Sequence, residues 1–246
     1  MKGRGCWPGL ISLGSAVRIR PSLPIQMKQK YKFFLKRFFY YIYGEKCFKR
    51  LNYNWSGLPS RTDLIQKLIN KRKYKNYLEI GCDNDENFSQ IKIDHKIGVD
   101  PLKGGTIRLT SDNFFKENKK MFDIVFLDGL HTYEQTIKDI DNSIKFLKDD
   151  GIILVHDCLP KKIWNQIVPR MYGHWNGDVW KAIVHSRTYE NVDTYTCTVD
   201  HGVGIILKRK NKDLLNLKNK SFKKLKFADY CNYHKKFMNP IRHEDI

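Results

Sequence analysis

Three things are missing from this 246-residue sequence, and each absence excludes something. The six cysteines (Cys6, Cys47, Cys82, Cys158, Cys197, Cys231) form no CxxC pair, so neither a zinc knuckle nor a disulfide framework is signalled. A reducing, cytoplasmic setting is expected. No run of about 18 uncharged apolar residues occurs, which excludes an obvious membrane-spanning helix. Acidic residues are also short, at 26 Asp+Glu against 45 Lys+Arg, for a formal charge of +19. What is present is ample core material: 41% hydrophobic and 13% aromatic residues exclude a wholly disordered chain.

The charge is uneven. Residues 1–76 carry +16, residues 77–207 carry −5, and residues 208–246 carry +8. Lysine outnumbers arginine 33 to 12, as AT-rich coding would produce, while basic flanks of this kind also suit RNA or anionic lipid. Residues 1–26 hold no acidic residue, four glycines and three prolines, and no hydrophobic period. Ala16–Pro21 reads like a translated transfer-RNA T-arm, so a non-native or disordered extension ahead of a start at Met27 is expected. Residues 27–59 form a basic, aromatic-rich helical segment. Its stretch 28–43 suits either peripheral membrane contact or packing on the domain or a second subunit, in a weakly held homo-oligomer.

From Ser60 the chain alternates helical and strand patterns. Ser60 caps a helix with Leu64, Ile65, Leu68 and Ile69 on one face. Short apolar strands follow at Tyr77–Ile80, Ile97–Val99, Phe122–Leu127 and Ile152–Val155. Before the last comes an amphipathic helix started by Thr132 and Gln135, with Tyr133, Ile137, Ile140, Ile144 and Leu147 on one face; Asp150-Gly151 makes the turn after it. Val192–Val199 and Val203–Leu207 flank Asp200-His201-Gly202 as a hairpin. The expected fold is a doubly wound, Rossmann-like, mostly parallel α/β sheet with helices on both faces and an antiparallel C-terminal hairpin strand at its edge. This αβ unit is expected over residues 60–208; residues 209–246 are expected to be a basic tail, solvated over Lys208–Lys226, with a short helix carrying Phe227, Tyr230, Tyr233 and Phe237.

In such sheets ligands bind beyond the carboxyl ends of the strands. Gly81 follows the first strand and permits a tight backbone turn. Asp100 ends the second, at the interval where an acid grips ribose hydroxyls. No Gly-x-Gly-x-x-Gly run is present for a pyrophosphate, and Asp83, Asp85 and Glu86 put negative charge where one would sit. S-adenosylmethionine has no phosphate and carries an ammonium and a sulfonium, so these carboxylates favour it by Coulomb sign.

The ordered set Tyr77–Gly81 (YLEIG), Gly98–Pro101 (GVDP), Phe122–Glu134 (FDxxFxDGxHxYE) and His156-Asp157 resembles class I S-adenosylmethionine-dependent methyltransferases, in the methyltransferase domain family 24-like branch. The resemblance extends over about residues 60–208. It implies Glu79 and Gly81 beside the methionine part of the cofactor, with Asp83 in the same loop. It also implies Asp100 at the ribose, Asp112 at the adenine amino group, and Asp128 facing the transferable methyl. The sequence departs from the pattern where Asp83 and Asp85 replace further loop glycines.

Methyl transfer needs a nucleophile aligned with the sulfonium and a route for its proton. Two routes fit Asp128, His131, His156 and Asp157. In one, Asp128 and Asp157, with His156, hold Mg2+ or another divalent metal that activates an acceptor hydroxyl. In the other, His131 or His156 is a general base oriented by a carboxylate. The segment Trp164–Lys181, with Trp164, Trp175, Trp180, His174 and Asp178, is expected to wall the acceptor side. Methylation of a small-molecule or glycan hydroxyl is the expected function. RNA methylation through the basic flanks, and a non-catalytic binding protein with a degenerate first loop, are the alternatives.

Overall fold

A computed structural model describes residues 34, 35, 37–40, 42, 44–171, 173–217 and 221–246. The extension 1–26, the Met27 start and most of the interfacial stretch 28–43 lie outside the described residues. Of the latter's described part, Phe34, Phe38 and Phe39 are exposed, while Tyr40 packs edge-on to Trp164 with ring centroids 5.6 Å apart.

Helix α1 (Arg61–Arg72) begins at Ser60, whose side chain accepts from the Asp63 amide while Asp63 reaches back to the Ser60 amide. Its face Leu64, Ile65, Leu68 and Ile69 is buried. Then follow β1 (Asn76–Ile80), β2 (His95–Val99), α2 (Ser111–Glu117), β3 (Phe122–Leu127), α3 (Tyr133–Lys145) and β4 (Leu147–Val155). The remainder is α4 (Ile163–Gln166), α5 (Trp180–Ser186), β5 (Asp193–Cys197), β6 (Val203–Leu207), α6 (Phe227–Met238) and β7 (Pro240–Ile241). The seven strands lie in the order β2-β1-β3-β4-β6-β5-β7. β1 pairs parallel with β2 on one side and β3 on the other, so the order reverses there and opens a crevice beyond the strand ends. Apolar side chains fill both faces: Leu78, Val125 and Ile153 belong to one core cluster, Tyr77, Ile124 and Ile152 to the other.

Three local expectations change. The antiparallel hairpin stands beside the last parallel strand as expected, with β6 against β4 and β5 outside it, but β7 adds a further strand outside β5. Asp150-Gly151 is no turn: β4 already starts at Leu147, and the register with β3 shifts between Phe122 and Ile124, so the extra residues form an irregularity within the strand. Leu147 is therefore a buried strand residue, not part of the preceding helical face. The C-terminal segment is less solvated than its lysines suggest, since Leu215 and Phe222 are buried and α6 sinks Phe227, Tyr230 and Phe237 into the core. Tyr233 on the same helix is exposed. The five described cysteines are free and buried, and no helix among the described residues is long and apolar enough to cross a membrane.

Candidate active site

Because β1 to β4 run parallel, the residues after each strand gather at one end of the sheet. There they line a cavity of about 710 Å³, within the range of small-molecule sites. Glu79, Gly81, Asp83, Asp100, Asp112, Asp128, His131, His156 and Asp157 all lie in its wall. A Cβ at Gly81, where φ is +88°, would run into the Asp128 carbonyl oxygen, so glycine is what lets the β1 and β3 loops meet.

Glu79 is almost fully buried on β1. Its Oε2 accepts from the Tyr77 hydroxyl at 2.5 Å and from Asn87 Nδ2 at 2.9 Å. Burial pushes its pKa up to about 7, against the pull of those two donors and of Arg61. Asp100 is tied by the Asp83, Leu102 and Lys103 amides, which, working against burial, hold its pKa below the usual range. A carboxylate offers about four acceptor positions, so three backbone donors leave room for a ribose hydroxyl. Asp112 receives Lys138 Nζ at 2.5 Å and Gln135 Nε2 at 3.1 Å, so an adenine amino group would share it with both. Asp139 completes that end of the cavity, raised to about 6 by burial.

The departure from the family loop proves to be chemical and not conformational. Asp83 and Asp85 keep the left-handed backbone that glycine would adopt, with φ of +46° and +61°. Aspartate tolerates that region better than most residues. Both side chains turn away to the 103–105 turn: Asp83 pairs with Lys103 at 2.7 Å and Asp85 accepts from the Gly105 amide at 2.7 Å.

At the β3 and β4 ends four titratable groups meet. Asp128 Oδ1 accepts from His131 Nε2 at 3.2 Å and from His156 Nδ1 at 3.1 Å. His131 Nδ1 lies 3.2 Å from Asp157 Oδ2, and its ring stacks on Trp175 with centroids 5.4 Å apart. His156 Nε2 is 2.9 Å from the Asp200 carbonyl oxygen. Burial opposes charge on His156, but Asp128 and Asp200 outweigh it and push the pKa up to about 10. In return His156 and His131, against burial, hold Asp128 far below the usual carboxylate range. The donor set whose atoms lie within 4.8 Å of one another, as a shared cation needs, is Asp128, His131 and Asp157. His156, expected from sequence beside Asp128 and Asp157, lies next to this group and bonds Asp128.

Of the expected acceptor wall, Trp175 lines the cavity, whereas Trp180 is a fully buried core residue. Asp178 caps α3, accepting from the Tyr133 amide at 2.7 Å. Sequence reading missed Arg61, Asn87 and Arg170 in the cavity wall. The Arg61 guanidinium lies 3.4 Å from Asp200 and 4.0 Å from Asp128, while its Nε is buried without a hydrogen-bond partner.

The site thus joins a doubly wound sheet to a glycine turn after β1, an acid after β2 and acids after β3 and β4. Residues 71–158 match a family model described as a methyltransferase domain. No curated protein sequence matches the chain. Similar solved structures include the Podospora anserina methyltransferase PaMTH1 bound to S-adenosylhomocysteine, at 17% identity and TM-score 0.48, covering 62% of this chain and 80% of that one. An O-methyltransferase from Bacillus cereus with the same ligand has 10% identity and TM-score 0.47, covering 77% and 94%. The O-methyltransferase TomG of Streptomyces achromogenes, with S-adenosylmethionine, has 12% identity and TM-score 0.45, covering 61% and 79%.

Proposed function

We propose that the chain transfers the methyl group of S-adenosylmethionine to a hydroxyl of a small-molecule or sugar acceptor, with a divalent cation assisting. The observation that carries this reading is the convergence of Asp128, His131 and Asp157 on one point in the cavity wall, next to the Gly81 turn. Two carboxylates and an imidazole fit a divalent cation, held by Asp128 and Asp157 with His131 as third donor. Such a cation would lower the pKa of a bound acceptor hydroxyl. Trp175 offers an aromatic face to a ring-bearing acceptor. Glu79 meets the cofactor ammonium, Asp100 the ribose, and the unpartnered Nε of Arg61 the methionine carboxylate.

The stacking of His131 on Trp175 and its bond to Asp128 support a second mechanism, in which His131 takes the acceptor proton without a metal. Radiolabelled methyl transfer to a panel of sugars, phenols and RNA, with Mg2+ or with excess chelator, decides among these readings. Label on a sugar or other small hydroxyl compound, falling at least about tenfold in chelator, is the expected result. Undiminished transfer in chelator removes the cation and leaves His131 as base. Label confined to RNA overturns the acceptor class. A chain that binds no S-adenosylmethionine by calorimetry is the non-catalytic case.

The Arg61 assignment has its own measurement. Arg61→Ala is expected to weaken S-adenosylmethionine about tenfold or more while leaving decarboxylated S-adenosylmethionine nearly unchanged, because only the first has a carboxylate to lose. Equal weakening of both ligands would place Arg61 in holding the Asp128–Asp200 surroundings instead.

A further inference from the structure

Asp157 faces two ways. Its Oδ2 belongs to the cluster just described, 3.2 Å from His131. Its Oδ1 points to the other side, accepting from Asn176 Nδ2 at 2.8 Å and lying 3.7 Å from His174 Nε2. On that side stands a second group of donors: Asp157, His174 and His201 each offer an atom within 4.8 Å of the others.

We propose that Asp157, His174 and His201 form a binding site for a nitrogen-preferring divalent transition metal of the Zn2+ or Co2+ type. The site is distinct from the oxygen-richer cluster of Asp128, His131 and Asp157 and is joined to it by the Asp157 carboxylate. It goes beyond the methyl-transfer reading and does not depend on it.

The donor chemistry sets the metal class. Two imidazoles and one carboxylate suit Zn2+, Co2+, Ni2+ or Fe2+, whereas Mg2+ and Ca2+ want oxygen. The imidazole nitrogens are available: among the described residues, no hydrogen bond occupies a ring nitrogen of His174 or His201. The two rings lie against each other, with centroids 3.9 Å apart and planes 28° from parallel, and His201 also packs against Trp55 at 4.5 Å, so taking up one metal would turn the rings until their in-plane lone pairs converge. His174 is exposed and provides an entry path from solvent.

Each donor sits on a braced piece of backbone. The His174 carbonyl accepts from Asn165 Nδ2 at 2.9 Å, and the Asn165 carbonyl takes the Asn176 and Gly177 amides. The His201 carbonyl accepts from the Leu159 amide and the Gly202 carbonyl from the Cys158 amide, which clamps the β5–β6 turn to the chain just after Asp157. That turn closes with the Gly202 amide on the Val199 carbonyl, and both central residues, Asp200 and His201, are left-handed at φ +35° and +63°. Hairpins fill such positions with Asn and Gly, so a histidine there meets a backbone demand it satisfies poorly. Asp157 is left-handed too, at φ +60°. A metal on these three donors would fasten the loop bearing His174 and Trp175 to the hairpin, and so fix the Trp175 side of the cavity.

The test uses the full chain with Co2+ as the spectroscopic probe, in millimolar Mg2+ to compete for the oxygen-richer cluster. One equivalent of Co2+ is expected, with visible absorption bands and a rise in Tm. His174→Ala and His201→Asn are each expected to weaken Co2+ at least about tenfold and to remove the bands. Asparagine suits the left-handed turn, so His201→Asn should melt no lower than the parent without metal, which separates ligand loss from misfolding. His131→Ala is expected to keep the Co2+ signal. No Co2+ uptake by the parent chain in Mg2+, or unchanged uptake by both His174→Ala and His201→Asn, overturns the proposal.

Discussion

S-adenosylmethionine is expected to bind this chain about tenfold more weakly for each pH unit below about 7, releasing a proton as it binds. The cause is Glu79. Burial has pushed its pKa up to about 7, although Tyr77, Asn87 and Arg61 all favour the carboxylate. An ammonium arriving beside Glu79 needs the ionised form, so below pH 7 the ligand must first displace a proton. A shift of one pH unit then changes the apparent affinity tenfold, or about 1.4 kcal/mol. Above roughly pH 8 the cofactor's own amino group deprotonates and affinity falls again, since an α-amino group titrates near there. The profile is therefore a bell whose acid limb belongs to the protein. Glu79→Gln should flatten that limb only, and weaken binding at pH 7.5 by about 30- to 100-fold, the loss of one charge-assisted contact. Calorimetry in buffers of different ionisation enthalpy reads both the affinity and the proton count. A parent chain whose affinity is constant from pH 5.5 to 7.5 would show that Glu79 does not meet the ammonium.

The part of this site that sequence could reveal is the part that parallel strands organise. Once Tyr77–Ile80, Ile97–Val99, Phe122–Leu127 and Ile152–Val155 are read as parallel, geometry alone delivers Gly81, Asp100, Asp128 and Asp157 to one end of the sheet. Caps were legible for the same local reason: Ser60 and Thr132 each accept from the amide three residues on, although the Gln135 side chain turns to Asp112 and Asp139 and does not reach back to Thr132. Arg61, Asn87, His174 and His201 were not legible as a set, because only tertiary packing brings the start of α1, the β1–β2 loop, the 173–177 loop and the hairpin turn together. The surroundings of His156 were hidden for a similar reason. Sequence placed it beside Asp157, but the Asp200 carbonyl that occupies its Nε2 comes from 44 residues away. Strand order had the same limit. Val203–Leu207 and its partner clearly formed a hairpin, yet nothing in their apolar pattern said which of them would lie against β4. Asp150-Gly151 misled in the opposite direction, since a strong turn signal was absorbed into an irregular strand.

Asp128 carries the largest expected loss, because it holds two imidazoles with one oxygen. Replacing it by asparagine removes the charge that keeps His156 protonated, while His156 stays buried at 6% exposure and bonded to the Asp200 carbonyl. Removing one partner of a buried ion pair costs about 3–5 kcal/mol. For a chain of this size that lowers Tm by roughly 6–20 °C at about 2–4 °C per kcal/mol. The pH dependence identifies the pair. The His156 pKa is raised above its ordinary 6.5 to about 10, so its contribution is complete below pH 6.5 and is lost as pH rises through about 10. The Asp128 pKa is depressed, so its share is present above the ordinary carboxylate range and is lost only as strong acid protonates it. The parent chain should therefore lose stability between pH 7 and 10 through this pair, Asp128→Asn should not, and the gap between them should narrow across that interval. Denaturant melts at pH 7, 8.5 and 10 measure it. Methyl transfer by the variant is expected to fall at least about 100-fold, since the same carboxylate orients His131 and, on the function proposed above, would be a cation ligand. A variant as stable as the parent at pH 7, or a gap that stays constant to pH 10, would mean that His156 is held neutral and that Asp128 is positioned by its loop alone.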